Sequence, residues 1–96
     1  MSRLTGEALR QRAAGIPDWK TVDEQHLAKT FVFPDFVTAL NFVNRVGAAA
    51  EEQGHHPDLY LAWGRVYVKI WTHSAGGVTE ADFLLAEKTD RAFFAR

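Results

Sequence analysis

Three of the four histidines in this 96-residue chain lie close together in sequence. His55 and His56 are adjacent and precede Pro57, and His73 follows in the same half of the chain. The imidazole of histidine has an unperturbed pKa of about 6.5, so it exchanges protons near neutral pH. This group of histidines therefore predicts acid–base chemistry or metal binding. His26 lies far from it, in a predicted turn, and is expected on the solvated surface.

Glu51 precedes the three histidines in the sequence and Asp82 follows them. Each carboxylate has both a structural and a functional interpretation. Glu51 falls in the last turn of a predicted helix, where a negative charge is unfavourable to the helix dipole. This unfavourable position favours a functional role for Glu51 beside the histidines. Asp82 follows Thr79 at the third position of another predicted helix, which is typical of a capping residue. Asp82 can also serve both purposes at once.

Zinc binding is the competing chemistry, because three histidines and an acid are ligands that Zn²⁺ accepts. The spacing disfavours it. Histidines that bind zinc from a helix usually lie three or four positions apart, whereas His55 and His56 are adjacent. Pro57 biases His56 toward extended backbone, in which neighbouring side chains diverge. We therefore expect no metal site.

Composition and charge exclude several classes of function. The formal net charge is −1 and the basic residues are scattered, so we expect neither nucleic-acid nor membrane binding. The chain has no cysteine, which excludes a disulfide framework and a thiolate nucleophile. The N-terminus lacks the apolar core of a signal peptide, and no apolar run approaches the roughly 18 residues of a membrane span. A cytoplasmic protein is expected.

The elements that position these residues are predicted from apolar periodicity, caps and turn residues. Residues 1–96 are expected to form one domain with 47% apolar residues for its core. Helices are predicted at 5–13, at 35–53 and from Thr79 onward, and strands at 19–22, 27–33, 59–63 and 65–72. The order α-β-β-α-β-β-α predicts an α+β fold: a four-stranded antiparallel sheet with helices packed on one face.

The long central helix is expected to begin after Asp35 as its N-cap and to end at Gly54, where glycine accepts a positive φ. Its core-facing stripe is predicted from residues at helical spacing, namely Phe36, Leu40, Val43, Gly47 and Ala50, widened by Val37 and Val46. The fourth strand is expected to carry His73 at its end. Trp63 falls near the turn of the last hairpin, where its ring could stack on a planar ligand, although tryptophan is more often a core or interface residue.

The whole pattern resembles the signature of the pterin-4a-carbinolamine dehydratases. The matching residues are Glu51-x3-His55-His56-Pro57-x5-Trp63-x9-His73-x8-Asp82. The resemblance extends to Phe33-x-Asp35-Phe36 before the long helix and covers most of the chain, from about Trp19 to Ala86. The better-known animal members differ at two positions, with an acid where this chain has Gly54 and a basic residue where it has Ala81.

This resemblance implies dehydration of a 4a-hydroxytetrahydropterin, the product of aromatic amino-acid hydroxylases, to quinonoid dihydropterin in tetrahydropterin recycling. It implies that His55, His56 and His73 are the catalytic histidines. One protonates the oxygen that leaves C4a and another accepts the N5 proton, with His55 or His73 as the acid and His56 mainly binding the pterin. Because no redox change occurs, no metal, flavin or nicotinamide cofactor is expected.

The resemblance assigns supporting roles to Glu51 and Asp82, which would orient imidazoles and favour their protonated forms, and to Pro57 and Trp63 in shaping the pocket. It also implies a homodimer or homotetramer. An alternative is a pterin-binding or protein-interaction module of the same fold, with a regulatory or molybdopterin-related role, because members of the family also bind other proteins.

Overall fold

Within residues 2–95, which the computed structural model describes, three α-helices and four strands follow one another in the predicted order. The helices are α1 (Gly6–Ala13), α2 (Phe36–Gln53) and α3 (Glu80–Phe94). The strands are β1 (Lys20–Val22), β2 (His26–Val32), β3 (Asp58–Ala62) and β4 (Arg65–Ile70). A short 3₁₀ helix, His73–Ala75, lies between β4 and α3.

The four strands form one antiparallel sheet in the spatial order β1-β2-β4-β3. Leu27 of β2 lies opposite Ile70 of β4, and Leu59 of β3 lies opposite Val68. Strands β2 and β4 are therefore central, and β1 and β3 form the two edges. The α+β class and the four-stranded antiparallel sheet predicted from the sequence are confirmed.

The core lies between one face of the sheet and helices α2 and α3. Alternation along β4 turns Val66, Val68 and Ile70 into this layer, where all three are fully buried. The helices contribute Phe42 and Phe83, which are also fully buried. Removing this apolar surface from water is the main stabilising term of the fold. The other face of the sheet is not covered by the helices.

The predicted apolar stripe of α2 is confirmed at Val46 and Ala50, but its centre is displaced by roughly a quarter turn of the helix. The residues that face the sheet are Ala39, Phe42, Val46 and Ala50. Phe36 and Val37 remain 44% and 58% exposed. Apolar residues cover much of the circumference of α2, so periodicity alone could not identify which side meets the sheet.

Helix α2 begins and ends where the sequence predicts, and its end sets the position of the histidine pair. The Asp35 carboxylate accepts a hydrogen bond from the Thr38 backbone N–H at 2.9 Å. Hydrogen bonding to the Thr38 side chain, and then to its backbone, lowers the pKa of Asp35. Gly54 closes the helix with φ 69°, and the His55 N–H donates to the Ala50 carbonyl at 3.1 Å. Although α2 is 18 residues long, no helix within residues 2–95 is long and apolar enough to cross a membrane.

Helix α1 is fixed to α3 by the guanidinium of Arg12. Its Nε lies 2.8 Å from Glu80, its Nη2 lies 3.2 Å from Glu87, and the group sits 4.8 Å from the centre of the Phe83 ring. The hydrogen bond with Glu80, followed by that with Glu87, raises the pKa of Arg12 despite partial burial. These contacts hold the start of α3, which carries Asp82.

Candidate active site

The predicted histidines meet at one end of the sheet, in an open pocket of about 380 Å³. Two segments line it: the connection from α2 to β3 and the residues that follow β4. The lining residues are Gly54, His55, His56, Pro57, Asp58, Trp71, Thr72, His73 and Ser74. A volume of this size falls in the range of small-molecule sites.

Asp82 lies beneath this pocket and is fully buried. One carboxylate oxygen, Oδ1, lies 2.5 Å from Nε2 of His55. The other, Oδ2, accepts hydrogen bonds from the Thr72 hydroxyl at 2.8 Å and from the Thr79 backbone N–H at 2.7 Å. Because Thr72 donates its only hydroxyl proton to Asp82, the Thr79 hydroxyl donates to the Thr72 oxygen, 2.9 Å away. Both oxygens of the buried carboxylate are thus hydrogen-bonded.

The contact with Asp82 determines what the His55 ring can do. A carboxylate acceptor requires that His55 donate from Nε2, which leaves Nδ1 as the nitrogen that exchanges a proton with a ligand. The same carboxylate stabilises the imidazolium that forms when Nδ1 takes a proton. The side chain of His55 is only 17% exposed, so this interaction is weakly screened by solvent.

His56 points away from His55, as the following Pro57 predicts. Its Nε2 lies 2.5 Å from Oε2 of Glu51, in the last turn of α2. The two side chains are 61% and 78% exposed, so solvent screens this pair strongly. Such a pair orients the imidazole at the mouth of the pocket and contributes little to stability.

His73 does not lie on a strand, which corrects the predicted position. Strand β4 ends at Ile70, and Thr72 pairs with Gly77 in an isolated bridge whose N–H···O distance is 2.9 Å. This bridge folds the residues between them into a tight loop, so His73 opens the 3₁₀ helix instead. Its exposed imidazole packs against the indole of Trp71, with ring centroids 3.9 Å apart and ring planes inclined by 32°.

The structure does not bring Trp63 to the histidines. Trp63 lies in the turn that joins β3 and β4, is 69% exposed, and lines a separate pocket with Val32 and Phe33. Asp58 and Trp71 mark the other end of the same hairpin. The five residues of β3 place the two ends on the order of 15 Å apart. Within one copy of the chain, Trp63 therefore does not line the histidine pocket, and a role for it in ligand binding stays a prediction.

Two residues of the site, Trp71 and Thr72, were not predicted from the sequence. Trp71 follows the alternation of β4 onto the uncovered face of the sheet, where a large aromatic has no core to fill, and this was a usable signal. Thr72 gave none, because its hydroxyl reaches Asp82 only through the fold. Among residues 2–95, no three histidine, aspartate or glutamate side chains are arranged as a set of metal ligands.

The model of the family described as pterin 4 alpha carbinolamine dehydratase matches residues 2–92. A protein of Rubrobacter xylanophilus, provisionally named a pterin-4-alpha-carbinolamine dehydratase, is 51% identical over 88 residues. The aligned region covers 92% of this chain and 82% of that protein.

The solved structures that resemble this fold include the following two. One, described as a transcriptional coactivator/pterin dehydratase from Brucella melitensis, has a TM-score of 0.89 and 35% identity, covering 95% of this chain and 98% of that one. The other is a pterin dehydratase-like protein identified as a RuBisCO assembly factor in the alpha-carboxysome. Its TM-score is 0.69 at 21% identity, with 82% of this chain and 93% of that one covered, which is a likeness of fold alone.

Proposed function

The chain belongs to the pterin 4 alpha carbinolamine dehydratase family, and we propose that it converts a 4a-hydroxytetrahydropterin to quinonoid dihydropterin and water. The observation that carries the proposal is the pocket in which His55, backed by buried Asp82, faces the same space as His73. This arrangement supplies two proton-transfer groups to one small ligand, which the reaction requires.

The reaction breaks the C4a–O bond and forms a C4a=N5 double bond. A general acid protonates the leaving oxygen, so that it departs as water. A general base removes the N5 proton, and the electron pair of that N–H bond becomes the new double bond. No electrons are gained or lost overall, so this hydro-lyase step needs proton transfer and positioning. Each well-placed acid or base contributes roughly 10²–10⁴-fold to such a rate.

We assign the base to His55 and the acid to His73. The Asp82 carboxylate favours the form of His55 that accepts a proton at Nδ1 and offsets the positive charge that results. His73 lies across the pocket on the loop after β4, where it can serve the departing oxygen. His56, which Glu51 orients at the solvent-facing mouth, binds the polar groups of the pterin. Pro57 fixes the backbone that separates the two adjacent imidazoles.

The direct test is dehydration of 4a-hydroxytetrahydropterin generated in the cuvette and followed by the absorbance of the quinonoid product. We expect the protein to accelerate this reaction well above its spontaneous rate, and to do so equally with and without EDTA. A rate with the protein that is no higher than the spontaneous rate would contradict the proposal. Loss of activity in EDTA that zinc restores would replace histidine catalysis with metal-assisted dehydration.

A second candidate function is a protein-interaction module, alone or alongside the dehydratase. It is favoured by the large apolar side chains that helices α2 and α3 leave in solvent: Phe36, Val37 and Phe94 are 44%, 58% and 77% exposed. The Brucella melitensis protein is described as a transcriptional coactivator as well as a pterin dehydratase. If that role is the main one, the assay above will show no acceleration although the protein is folded.

A further inference from the structure

We propose that Trp71 is a positioning residue for His73: its indole holds the imidazole in the orientation from which the proton is delivered. This inference rests on the proposed function. Trp71 lies outside the histidine pattern and enters the site only because it lines the same pocket as the three histidines.

Each histidine of the pocket has one side chain that orients it. Nε2 of His55 contacts Asp82, and Nε2 of His56 contacts Glu51, both at 2.5 Å. Within residues 2–95, the contact that orients the ring of His73 is the indole of Trp71. Without it, an exposed imidazole on a 3₁₀ turn would sample several rotamers.

The geometry of the stack suits a ring that carries a proton. A centroid distance of 3.9 Å and an inclination of 32° place the imidazole over the face of the indole. The face of an aromatic ring is electron-rich and attracts a cation. Tryptophan does so more strongly than tyrosine or phenylalanine. The contact of Trp71 with His73 therefore strengthens when His73 holds the proton that the leaving oxygen needs.

A second observation concerns the indole N–H of Trp71. Its indole Nε1 is buried and, within residues 2–95, has no hydrogen-bond acceptor. A buried donor without a partner lowers the stability of a fold. A phenylalanine at this position would provide an aromatic face without that cost. Trp71→Phe therefore keeps an aromatic face against His73 while it removes the unpaired donor.

The test compares Trp71→Leu, which removes the aromatic face, with Trp71→Phe, which keeps a smaller one. The matched control is Tyr67→Leu on the same strand and the same face of the sheet, where Tyr67 packs against Tyr60 with centroids 5.8 Å apart. For Trp71→Leu we expect kcat to fall about tenfold or more, since small misplacements of reacting groups are costly. KM should change less than about twofold, because the loss is in proton delivery rather than in binding.

For Trp71→Phe we expect most of kcat to return and the Tm to be no lower than that of the wild type. Tyr67→Leu should keep the wild-type kcat. A spectroscopic readout accompanies the kinetics: the ring protons of His73, assigned by their loss in His73→Gln, should show an upfield ring-current shift. That shift should disappear in Trp71→Leu and persist in Tyr67→Leu.

An active wild type with an unchanged kcat in Trp71→Leu would overturn the inference and leave the proposed function standing. A wild type without dehydratase activity would overturn the proposed function, and this inference with it. If Trp71→Leu fails to fold, Trp71→Met replaces it, because methionine fills more of the volume of the indole and has no aromatic face. The same changes in kcat and KM are expected for Trp71→Met.

Discussion

One carboxylate, that of Asp82, both caps helix α3 and holds the ring of His55. Its Oδ2 accepts the Thr79 backbone N–H at 2.7 Å, and its Oδ1 lies 2.5 Å from Nε2 of His55. The capping geometry and the site geometry are therefore set by the same buried group. A shift of the start of α3 would move His55 directly, so the fold and the proposed proton transfer are coupled at this residue.

Asp82→Asn should lower both activity and stability. We expect kcat to fall about 10²-fold or more, the usual scale of a general base, because an amide no longer enforces the Nε2–H form of His55. Weakening of the hydrogen bonds that the carboxylate accepts from Thr72 and Thr79 should cost about 1 kcal/mol, or roughly 4–8 °C in Tm for a domain of this size. Steady-state kinetics and thermal melts measure the two effects.

Asp35→Asn is the matched control for this substitution. Asp35 is the N-cap residue of α2 and accepts the Thr38 N–H at 2.9 Å, whereas Asp82 lies at the third helical position and accepts the N–H of the N-cap residue Thr79. Both carboxylates thus cap a helix, but among residues 2–95 no histidine is hydrogen-bonded to Asp35. Its asparagine variant should keep the wild-type kcat. If Asp82→Asn also keeps the wild-type kcat, the carboxylate serves only as a cap.

His56→Ala should raise KM more than it lowers kcat, because His56 and its partner Glu51 lie at the exposed mouth of the pocket. Glu51→Ala should act in the same direction and more weakly, since it removes only the group that orients the imidazole. Initial rates over a range of substrate concentrations separate the two parameters. A collapse of kcat at an unchanged KM in His56→Ala would instead assign a proton-transfer step to this residue.

The elements of the fold could be predicted because their local signals agree. Asp35 and Gly54 mark the two ends of α2, and alternation along β4 identifies its buried face. Val66, Val68 and Ile70 are fully buried as that alternation predicts. These signals depend on neighbours within a few residues, which a sequence displays directly.

The features that were missed depend on how nearby residues pair and turn in three dimensions, which apolar periodicity along the chain does not display. The bridge between Thr72 and Gly77 determines that His73 leaves the strand. Antiparallel pairing in the last hairpin places Trp63 at the end of the sheet away from the site, although sequence spacing kept it inside the pattern. Alternation along β4 places Trp71 on the uncovered face of the sheet, but only the fold shows that its ring packs against His73.

The pH dependence of stability should carry a contribution from His26. This residue is half-buried at the start of β2 rather than fully solvated as expected, and burial first, then the charge of Lys69, lowers its pKa. His26 therefore binds a proton more readily in the unfolded chain than in the folded one. The stability that neutral His26 contributes above about pH 6.5 is lost as the pH falls through the pKa of His26 in the folded state. Asp23 and Asp58 oppose the shift.

His26→Gln removes this titration. We expect its Tm to fall less steeply than that of the wild type as the pH is lowered from about 6.5, with kcat near neutral pH unchanged. Thermal melts across that range provide the comparison. Parallel curves for the two proteins would mean that His26 has the same proton affinity folded and unfolded.

The protein should be at least a dimer. One face of the sheet is not covered by the helices, β1 and β3 present unpaired edges, and Val32, Phe36 and Trp63 remain 71%, 44% and 69% exposed. Such surfaces commonly pair across a two-fold axis. Light scattering at micromolar concentration should give about twice the chain mass of 10.8 kDa or more. A mass of one chain would contradict this expectation.

The central claim is that His55 and His73 carry out the dehydration together, and the rate of the double variant His55→Ala/His73→Ala tests it most directly. Each single substitution should lower kcat about 10²-fold or more while the protein stays folded, with His26→Ala as the control at the wild-type rate. Because both histidines act on one substrate, the loss of kcat in the double variant should be smaller than the product of the two single losses. Its rate should approach the spontaneous rate. Dehydration at the wild-type rate in the double variant would contradict the account.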